Sequence, residues 1–185
     1  MSQAGYPDFQ AHLATLESMN LLTHIDRPID KNTELHPLVR WQFQGGIPES
    51  ERKAFLFTNV TDGDGRKFDM PVAVGALAAS PEIYAIGMGV PIEEIGSAWL
   101  NAIANPVEPV IVDPPPCQQI VIEGDALAKP GGGLHALPVP VSTPGYDAAP
   151  YLAATLVITR DPETGVVVDF DALDAAVQEE ILDRV

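Results

Sequence analysis

Apolar residues recur at steps of three and four residues near the start of this chain, which predicts an amphipathic helix. The helix is expected to open at Pro7 and Asp8, where Asp8 can serve as its cap or first-turn acid. Asn20 is expected to end it. The apolar positions of this segment are Phe9, Leu13, Leu16 and Met19.

Three further segments have helical signals. Leu35–Gln44 carries spaced apolar residues and is followed by Gly45 and Gly46, which suit a helix end. Ser80, Pro81 and Glu82 form a capped start for the next helix. Residues 91–105 predict another, with one apolar side made of Ile92, Ile95, Trp99 and Ile103.

Several short apolar runs, bounded by turn residues, predict β-strands. The run at 151–160 is apolar on both faces for much of its length, which is typical of a buried strand. Strands and helices alternate irregularly and no internal repeat is present, so we predict a mixed α/β or α+β fold. The predicted strands are 21–26, 54–60, 70–78, 109–112, 118–124 and 151–160, the third being a strand or a strand-to-helix passage.

The domain organisation follows from the loops. Residues 129–145 form a long loop rich in proline and glycine, and 161–165 form a tight turn. The last stretch, 171–185, repeats apolar residues at helical spacing. We predict one α/β domain over 1–165, with a strand and helix at 166–185 acting as an interface element.

Length and composition restrict the class of protein. A chain of 185 residues can bury about 70% of its unfolded surface, which is enough for one core. No apolar run approaches the length of a membrane span, and the N-terminus lacks the basic and apolar parts of a secretory signal. The single cysteine, Cys117, excludes an intramolecular disulfide. A cytoplasmic protein that does not bind membranes is therefore expected.

The net charge of −16 disfavours a nucleic-acid partner, because an acidic surface repels a phosphate backbone. The same charge disfavours an anionic substrate that this chain would hold alone. The net charge need not reflect a binding function. We prefer the explanation that the acidic residues keep an abundant protein soluble.

Two loops resemble ligand-binding motifs in part. Asp62-Gly63-Asp64-Gly65 contains a fragment of a calcium loop but lacks the later ligands, so a turn between two strands is the preferred interpretation. Gly131-Gly132-Gly133 could approach a phosphate, but no Lys-Ser/Thr pair follows as in a P-loop. We interpret it as a flexible surface loop.

The histidines do not have the spacing of zinc ligands. His12 is assigned to the polar side of the first helix, and His36 to a helix start. His135, in the long loop, is the one histidine kept as a functional candidate.

No other residues form a recognisable catalytic set. Cys117 has no basic neighbour that would lower its pKa, so a buried structural thiol is expected. The acid pairs Glu93-Glu94 and Glu179-Glu180 are interpreted as solvated helix faces. Serine-hydrolase motifs are absent from the sequence. The residues alone therefore predict no catalytic, cofactor-binding or metal-binding residue in this chain.

A resemblance covers about residues 8–165 and consists of several motifs in order. They include RPID (27–30), FLFTNV (55–60), PVIVDPPPCQQIVIEGDAL (109–127) and LPVPVSTPGYDAAPYLAATLVITRDPETG (137–165). Together they resemble the N-terminal part of the UbiD-like decarboxylases, a family that uses prenylated flavin. One departure is Ala148-Ala149, where the family commonly has glycine. The tail, VDFDALDAAVQEEILDRV, resembles the C-terminus of some family members less specifically, and an unrelated acidic helix is the equal alternative.

The resemblance implies a decarboxylase, or a reversible (de)carboxylase, that acts on an aromatic or α,β-unsaturated acid. It implies prenylated FMN with manganese and potassium in the assembled enzyme. In the family the catalytic residues, an asparagine, an arginine, a histidine and glutamates, follow the ITRDPETG turn. This chain has no asparagine after Asn105 and no histidine after His135, so we carry none of them over and expect the flavin-binding barrel to be absent.

Three hypotheses remain open at this point. The chain could be a non-catalytic subunit that assembles with a separate catalytic UbiD-like chain or with copies of itself. It could be a stand-alone binding or regulatory module. It could also be a shortened form of a full-length decarboxylase.

Overall fold

The computed structural model describes residues 7–107, 113–114 and 119–143. Within them, helices and short strands alternate as a mixed α/β fold, as predicted. The helices are α1 (Phe9–Ser18), α2 (Leu35–Gln44), α3 (Pro81–Met88) and α4 (Ile95–Ala104), and the strands are β1 (Leu22–Ile25), β2 (Ile29–Asp30), β3 (Ala54–Phe57), β4 (Val60–Thr61) and β5 (Val72–Val74). Short 3₁₀ turns lie at Glu49–Glu51, Ile92–Glu94, Gly124–Ala128 and Leu134–Ala136.

The predicted caps set the helix bounds. The Asp8 carboxylate accepts a hydrogen bond from the backbone N–H of Ala11 at 2.8 Å, and the Ser80 hydroxyl accepts one from Ile83 at 3.2 Å. Each cap satisfies an N–H that the helix itself leaves without a partner. Asn20 ends the first helical segment in the left-handed region, with a φ of 59°, a conformation that asparagine tolerates better than most residues.

The strands form two small sheets. The chain passes from the first sheet at β1 to the second at β2, and it repeats this passage from β3 to β4. In the first sheet β1 pairs with β3 in parallel and β3 pairs with β5 antiparallel, so β1 and β5 are the outer strands among the described residues. In the second sheet β2 pairs with β4 in parallel. Three residues, 26–28, separate β1 from β2, whereas two, 58–59, separate β3 from β4. The register of pairing therefore changes by one residue between the two sheets. The strand predicted at 54–60 is divided there into β3 and β4.

The first sheet has apolar groups on both faces. Along β3, Ala54 and Leu56 pack into one cluster, and Phe55 and Phe57 pack into the other, as the alternation of side chains along a strand requires. The first cluster contains Leu13, Leu16, Leu21, Leu22, Ala54, Ala76, Ala79 and Ile83. The second contains Ile29, Leu35, Val39, Phe57, Val60 and Phe68. The sheet thus lies between α1 with α3 on one face and α2 on the other.

The prediction of a strand at 118–124 is wrong for its described part. Residues 119–123 pair with no strand among the described residues, and Ile120 is 81% exposed. The long loop at 129–143 is confirmed, with one short 3₁₀ turn at Leu134–Ala136.

Several predictions lie outside the described residues, and they remain predictions. They are the strands at 109–112 and 151–160, the 161–165 turn with the domain boundary, the 171–185 helix, Cys117 and the Glu179-Glu180 pair. Among the described residues no helix is both long and apolar enough to cross a membrane.

Candidate functional site

A buried lysine beside β2 binds a segment more than one hundred residues away. Lys31 is 8% exposed, and its Nζ donates to the carbonyl oxygen of Val139 at 3.0 Å and to Asn32 Oδ1 at 2.8 Å. The backbone N–H of Val141 donates to the Lys31 carbonyl oxygen at 3.2 Å. Lys31 therefore binds this distant segment through both its side chain and its backbone. We call residues 139–143 the anchored segment.

Two side chains of α2, one turn apart, hold the other end of the anchored segment. The Arg40 guanidinium donates to the carbonyl oxygen of Ser142 and, at 3.0 Å, to Thr143 Oγ1. His36 Nε2 lies 3.5 Å from Ser142 Oγ. Residues four apart lie on the same face of a helix, so α2 places His36 and Arg40 side by side along the segment.

Lys31 and Arg40 are cations that donate hydrogen bonds to uncharged oxygen atoms. Within the described part of the chain, neither has a carboxylate within salt-bridge distance. Their charges are instead satisfied by backbone carbonyl, amide and hydroxyl oxygens. Hydrogen bonds that involve an ionised donor are stronger than neutral ones. The arrangement is suited to fixing the course of the backbone.

An apolar groove of about 480 Å³ runs along β5. Among the described residues that line it, His36 is the one titratable residue, and it also contacts the anchored segment. Among the described strands β5 is the outer one of its sheet on this side, so part of the groove is formed by that strand. The lining residues are Phe9, His36, Val72, Ala73, Val74, Gly75, Ala76, Leu77, Ala78 and Pro140.

His12 stabilises one wall of this groove, and its assignment to the polar side of the first helix is wrong. The residue is 4% exposed, and its Nε2 lies 2.7 Å from the carbonyl oxygen of Ala76. Because a carbonyl oxygen can only accept, Nε2 carries the proton. His12 lies one helical turn before Leu16 and thus shares the buried face of α1.

A stripe of exposed apolar side chains runs along α4 and the 3₁₀ turn that precedes it. Ile92 is 51%, Trp99 50%, Leu100 72% and Ile103 71% exposed, and α4 has no buried residue. We call these four residues the α4 stripe. Trp99 Nε1 donates to Tyr84 Oη at 2.6 Å, which connects α4 to α3. Exposed apolar groups that adjoin one another usually mark an interaction surface.

The two motif-like loops have structural roles. Asp62 Oδ1 accepts from the backbone N–H groups of Asp64 at 3.1 Å and Arg66 at 2.9 Å, so the interpretation of this stretch as a turn is confirmed. Gly131 and Gly133 have φ values of 85° and 70°. The interpretation of the triplet as a flexible surface loop is wrong for Gly132, which is buried and packs against the carbonyl oxygen of Ala126.

The candidate histidine and the described acid pair lie apart from the groove. His135 is exposed, and its carbonyl oxygen accepts from Arg66 at 3.3 Å. Glu93 and Glu94 are exposed at the start of α4, so their interpretation as a solvated face is confirmed. Sequence reasoning overlooked Lys31 and Arg40. The one available signal was the four-residue spacing of His36 and Arg40.

The described residues do not fit a flavin phosphate with its metal. Such a group requires oxygen or imidazole ligands around an enclosed pocket. Among the described residues there is no group of three or more His, Cys, Asp or Glu side chains that could hold a metal ion. The groove offers one imidazole in an apolar lining. We therefore assign no step of a flavin reaction to these residues.

Comparison with known proteins identifies the domain. Residues 13–103 match the family model of the 3-octaprenyl-4-hydroxybenzoate carboxy-lyase N-terminal domain, UbiD_N. The structure is similar to that of the UbiD-class enzyme HmfF from Pelotomaculum thermopropionicum in complex with FMN. The two chains are 30% identical, with a TM-score of 0.61 over 85% of this chain and 32% of that one.

An evolved dimeric form of the same enzyme, in complex with prFMN, is similarly related. It is 29% identical, with a TM-score of 0.63 over 85% of this chain and 33% of that one. The α/β domain is thus of the carboxy-lyase N-terminal type. Residues 13–103 are thus a UbiD-type N-terminal domain, and the chain spans about one third of the length of the solved structures it matches.

Proposed function

We propose that this chain supplies the scaffold and interface of a UbiD-like decarboxylase or reversible (de)carboxylase, while a separate chain carries the prenylated-flavin site. The substrate would be an aromatic or α,β-unsaturated carboxylic acid. Prenylated FMN, with manganese and potassium, would bind in the assembled enzyme rather than to this chain alone. The single cysteine favours a cytoplasmic assembly.

The observation that carries this proposal is a UbiD-type domain with a helix, α4, whose apolar side is exposed among the described residues. The domain retains its capped helices and a core on both faces of the sheet. Yet α4, which lies at the end of the matched range, buries none of its residues within the described part of the chain. A helix gains most of its stability from packing an apolar face against another element. Such a helix supports a role in assembly.

The anchored segment supports the same role. Its residues lead toward the part of the chain that carries the family motif ITRDPETG. Lys31 and Arg40 fix its backbone at both ends. A segment held in this way can deliver the chain that follows it in a defined direction.

A second candidate function is a stand-alone binding or regulatory module, or a shortened form of a full-length decarboxylase. The groove along β5 favours the binding module, since a concave apolar surface with one polar group is typical of ligand sites.

Reconstitution tests the proposal. The chain would be purified alone and together with a flavin-bearing UbiD-type polypeptide of the source organism, each supplied with prenylated FMN, manganese and potassium. We expect decarboxylation of an aromatic or α,β-unsaturated acid only with both polypeptides, and flavin absorbance in the fraction that contains them. Turnover by this chain alone, or no association between the two, would contradict the proposal.

A further inference from the structure

Three cationic side chains from separate parts of the domain hold one segment, residues 134–143. We call this segment the strap; it includes the anchored segment. The three cations are among only ten lysine and arginine residues of an acidic chain, and each donates to a backbone carbonyl oxygen of the strap. We call them the clamps. They are Arg66 on His135 at 3.3 Å, Lys31 on Val139 at 3.0 Å and Arg40 on Ser142.

One buried aromatic ring connects two of the clamps. Phe68 is 4% exposed, and the centroid of its ring lies 5.9 Å from Lys31 Nζ and 4.9 Å from Arg66 Cζ. A cation within about 6 Å of an aromatic ring is attracted to it. Because both cations lie against the same ring, a displacement of one changes the surroundings of the other. The two clamps are therefore coupled.

The strap is held mainly by polar contacts and lies outside the core. Neither apolar cluster contains a residue of the strap, and Pro138 is its one buried residue. Parts of a protein with few buried apolar contacts open at a lower cost in free energy than its core does. The strap thus has the properties of a unit that detaches while both clusters stay packed.

The strap also forms one wall of the groove along β5. Pro140, in the middle of the strap, lines the groove together with His36. His36 in turn contacts Ser142 of the strap. Detachment of the strap would withdraw Pro140 from the wall and uncover the imidazole of His36. The groove would therefore be wider when the strap is open.

We propose that the strap opens and closes as one unit on a folded core, and that its position sets the width of the groove along β5. The clamps at the two ends and in the middle act together in keeping it closed. This opening is a property of the chain by itself and does not depend on the proposed function.

Native-state hydrogen exchange of the full chain in low urea tests whether the strap opens separately from the core. The Val141 amide, which donates to the Lys31 carbonyl oxygen at 3.2 Å, reports on the strap. The Ala54 amide, which donates to Leu21 at 2.9 Å, reports on the core. We expect Val141 to exchange faster and with a smaller dependence on urea, because a partial opening exposes less surface. Equal rates and equal urea dependence would mean that the strap detaches only when the domain unfolds, which would overturn the proposal.

Variants at the two ends of the strap test whether it moves as a unit. The reporter is acylation of the Lys31 amine, which is buried and bonded to the middle of the strap. We expect Arg40→Met to speed this acylation about tenfold, as the loss of a charge-assisted hydrogen bond predicts. Arg66→Met removes an exposed clamp and should speed it about twofold.

The matched control is an arginine that also donates to a backbone carbonyl but lies outside the strap. The Arg27 guanidinium donates to the carbonyl oxygen of Pro28 at 3.0 Å, and Arg27→Met should acylate at Lys31 as slowly as the wild type. Circular dichroism would verify that all variants fold. If neither end variant speeds acylation, or if Arg27→Met speeds it equally, the clamps do not act together and the proposal is overturned.

Modification of His36 by diethyl pyrocarbonate tests the effect on the groove. Lys31→Met removes the middle clamp and should make His36 react faster, whereas the exposed His24 should react at the wild-type rate. Lys67→Met, which alters an exposed lysine, should change neither rate. A wild-type rate at His36 in a variant whose Val141 amide exchanges faster would show that the strap opens without widening the groove, and would overturn that part of the proposal.

Discussion

His12 Nε2 donates a hydrogen bond of 2.7 Å to the carbonyl oxygen of Ala76, and this bond joins α1 to the segment that follows β5. Both residues are buried, so neither group can exchange its partner for water. Ala76 also lines the apolar groove. The bond therefore connects the core of the domain to one wall of the groove along β5.

Replacement of His12 by alanine is expected to lower the free energy of unfolding by about 1–3 kcal/mol, because the carbonyl of Ala76 would lose its partner inside the protein. Chemical denaturation would measure the change. Hydrogen exchange should accelerate at the Ala79 amide, which donates to Gly75 in the same segment. His24→Ala is the control, since His24 is exposed and its contact with Glu17 is worth at most about 1 kcal/mol. Equal losses in the two variants would contradict the role assigned to His12.

The side chain of Gln42, on α2, binds both backbone groups of Lys53, the residue before β3, as a neighbouring strand would. It is 4% exposed, its Nε2 donates to the Lys53 carbonyl oxygen at 2.9 Å, and its Oε1 accepts from the Lys53 N–H at 2.9 Å. Gln42→Glu has almost the same shape but loses the donor and places a carboxylate against a carbonyl oxygen. We expect it to be destabilised by about 1–3 kcal/mol. Gln44→Glu, at an exposed position of the same helix, is the control, and thermal unfolding of both would show whether the loss is specific.

The anchored segment should loosen when Lys31 is replaced by methionine, which keeps an unbranched side chain but removes the donor. The Val139 carbonyl would lose a charge-assisted hydrogen bond, a type worth about 1.5–3 kcal/mol. Faster hydrogen exchange at the Val141 amide and faster proteolysis within 137–143 are the expected results. Lys67→Met changes an exposed lysine in the same way and should leave both rates unchanged. Unaltered exchange at Val141 in Lys31→Met would show that the side chain does not hold the segment.

The elements that local sequence determines were predicted well. The bounds of α2 were predicted as Leu35–Gln44 and observed there, because the apolar spacing and the following glycines act within the segment itself. The Ser80 cap likewise needs only the backbone of its own helix. The family resemblance identified the domain because its motifs extend over many segments in a fixed order.

Features that depend on distant partners were not predicted. The strand expected at 118–124 is missing from 119–123, because a strand exists only when another strand pairs with it. The contacts of Lys31 with Val139 and of Arg40 with Ser142 join residues 108 and 102 positions apart, and no local pattern announces them. His12 was misassigned because a polar residue was expected on the solvent side, although its spacing to Leu16 indicated the core.

Two glycine-to-alanine substitutions should shift stability in opposite directions. Gly96 lies within α4, and an added methyl group there would meet no atom within 4 Å. Gly96→Ala should therefore raise the free energy of unfolding by about 0.5–1 kcal/mol, because alanine loses less backbone entropy in a helix. At Gly132 the added methyl would overlap the carbonyl oxygen of Ala126, so Gly132→Ala should destabilise the protein. Urea denaturation of both variants tests the pair, and a destabilised Gly96→Ala protein would mean that α4 has a close neighbour at this position.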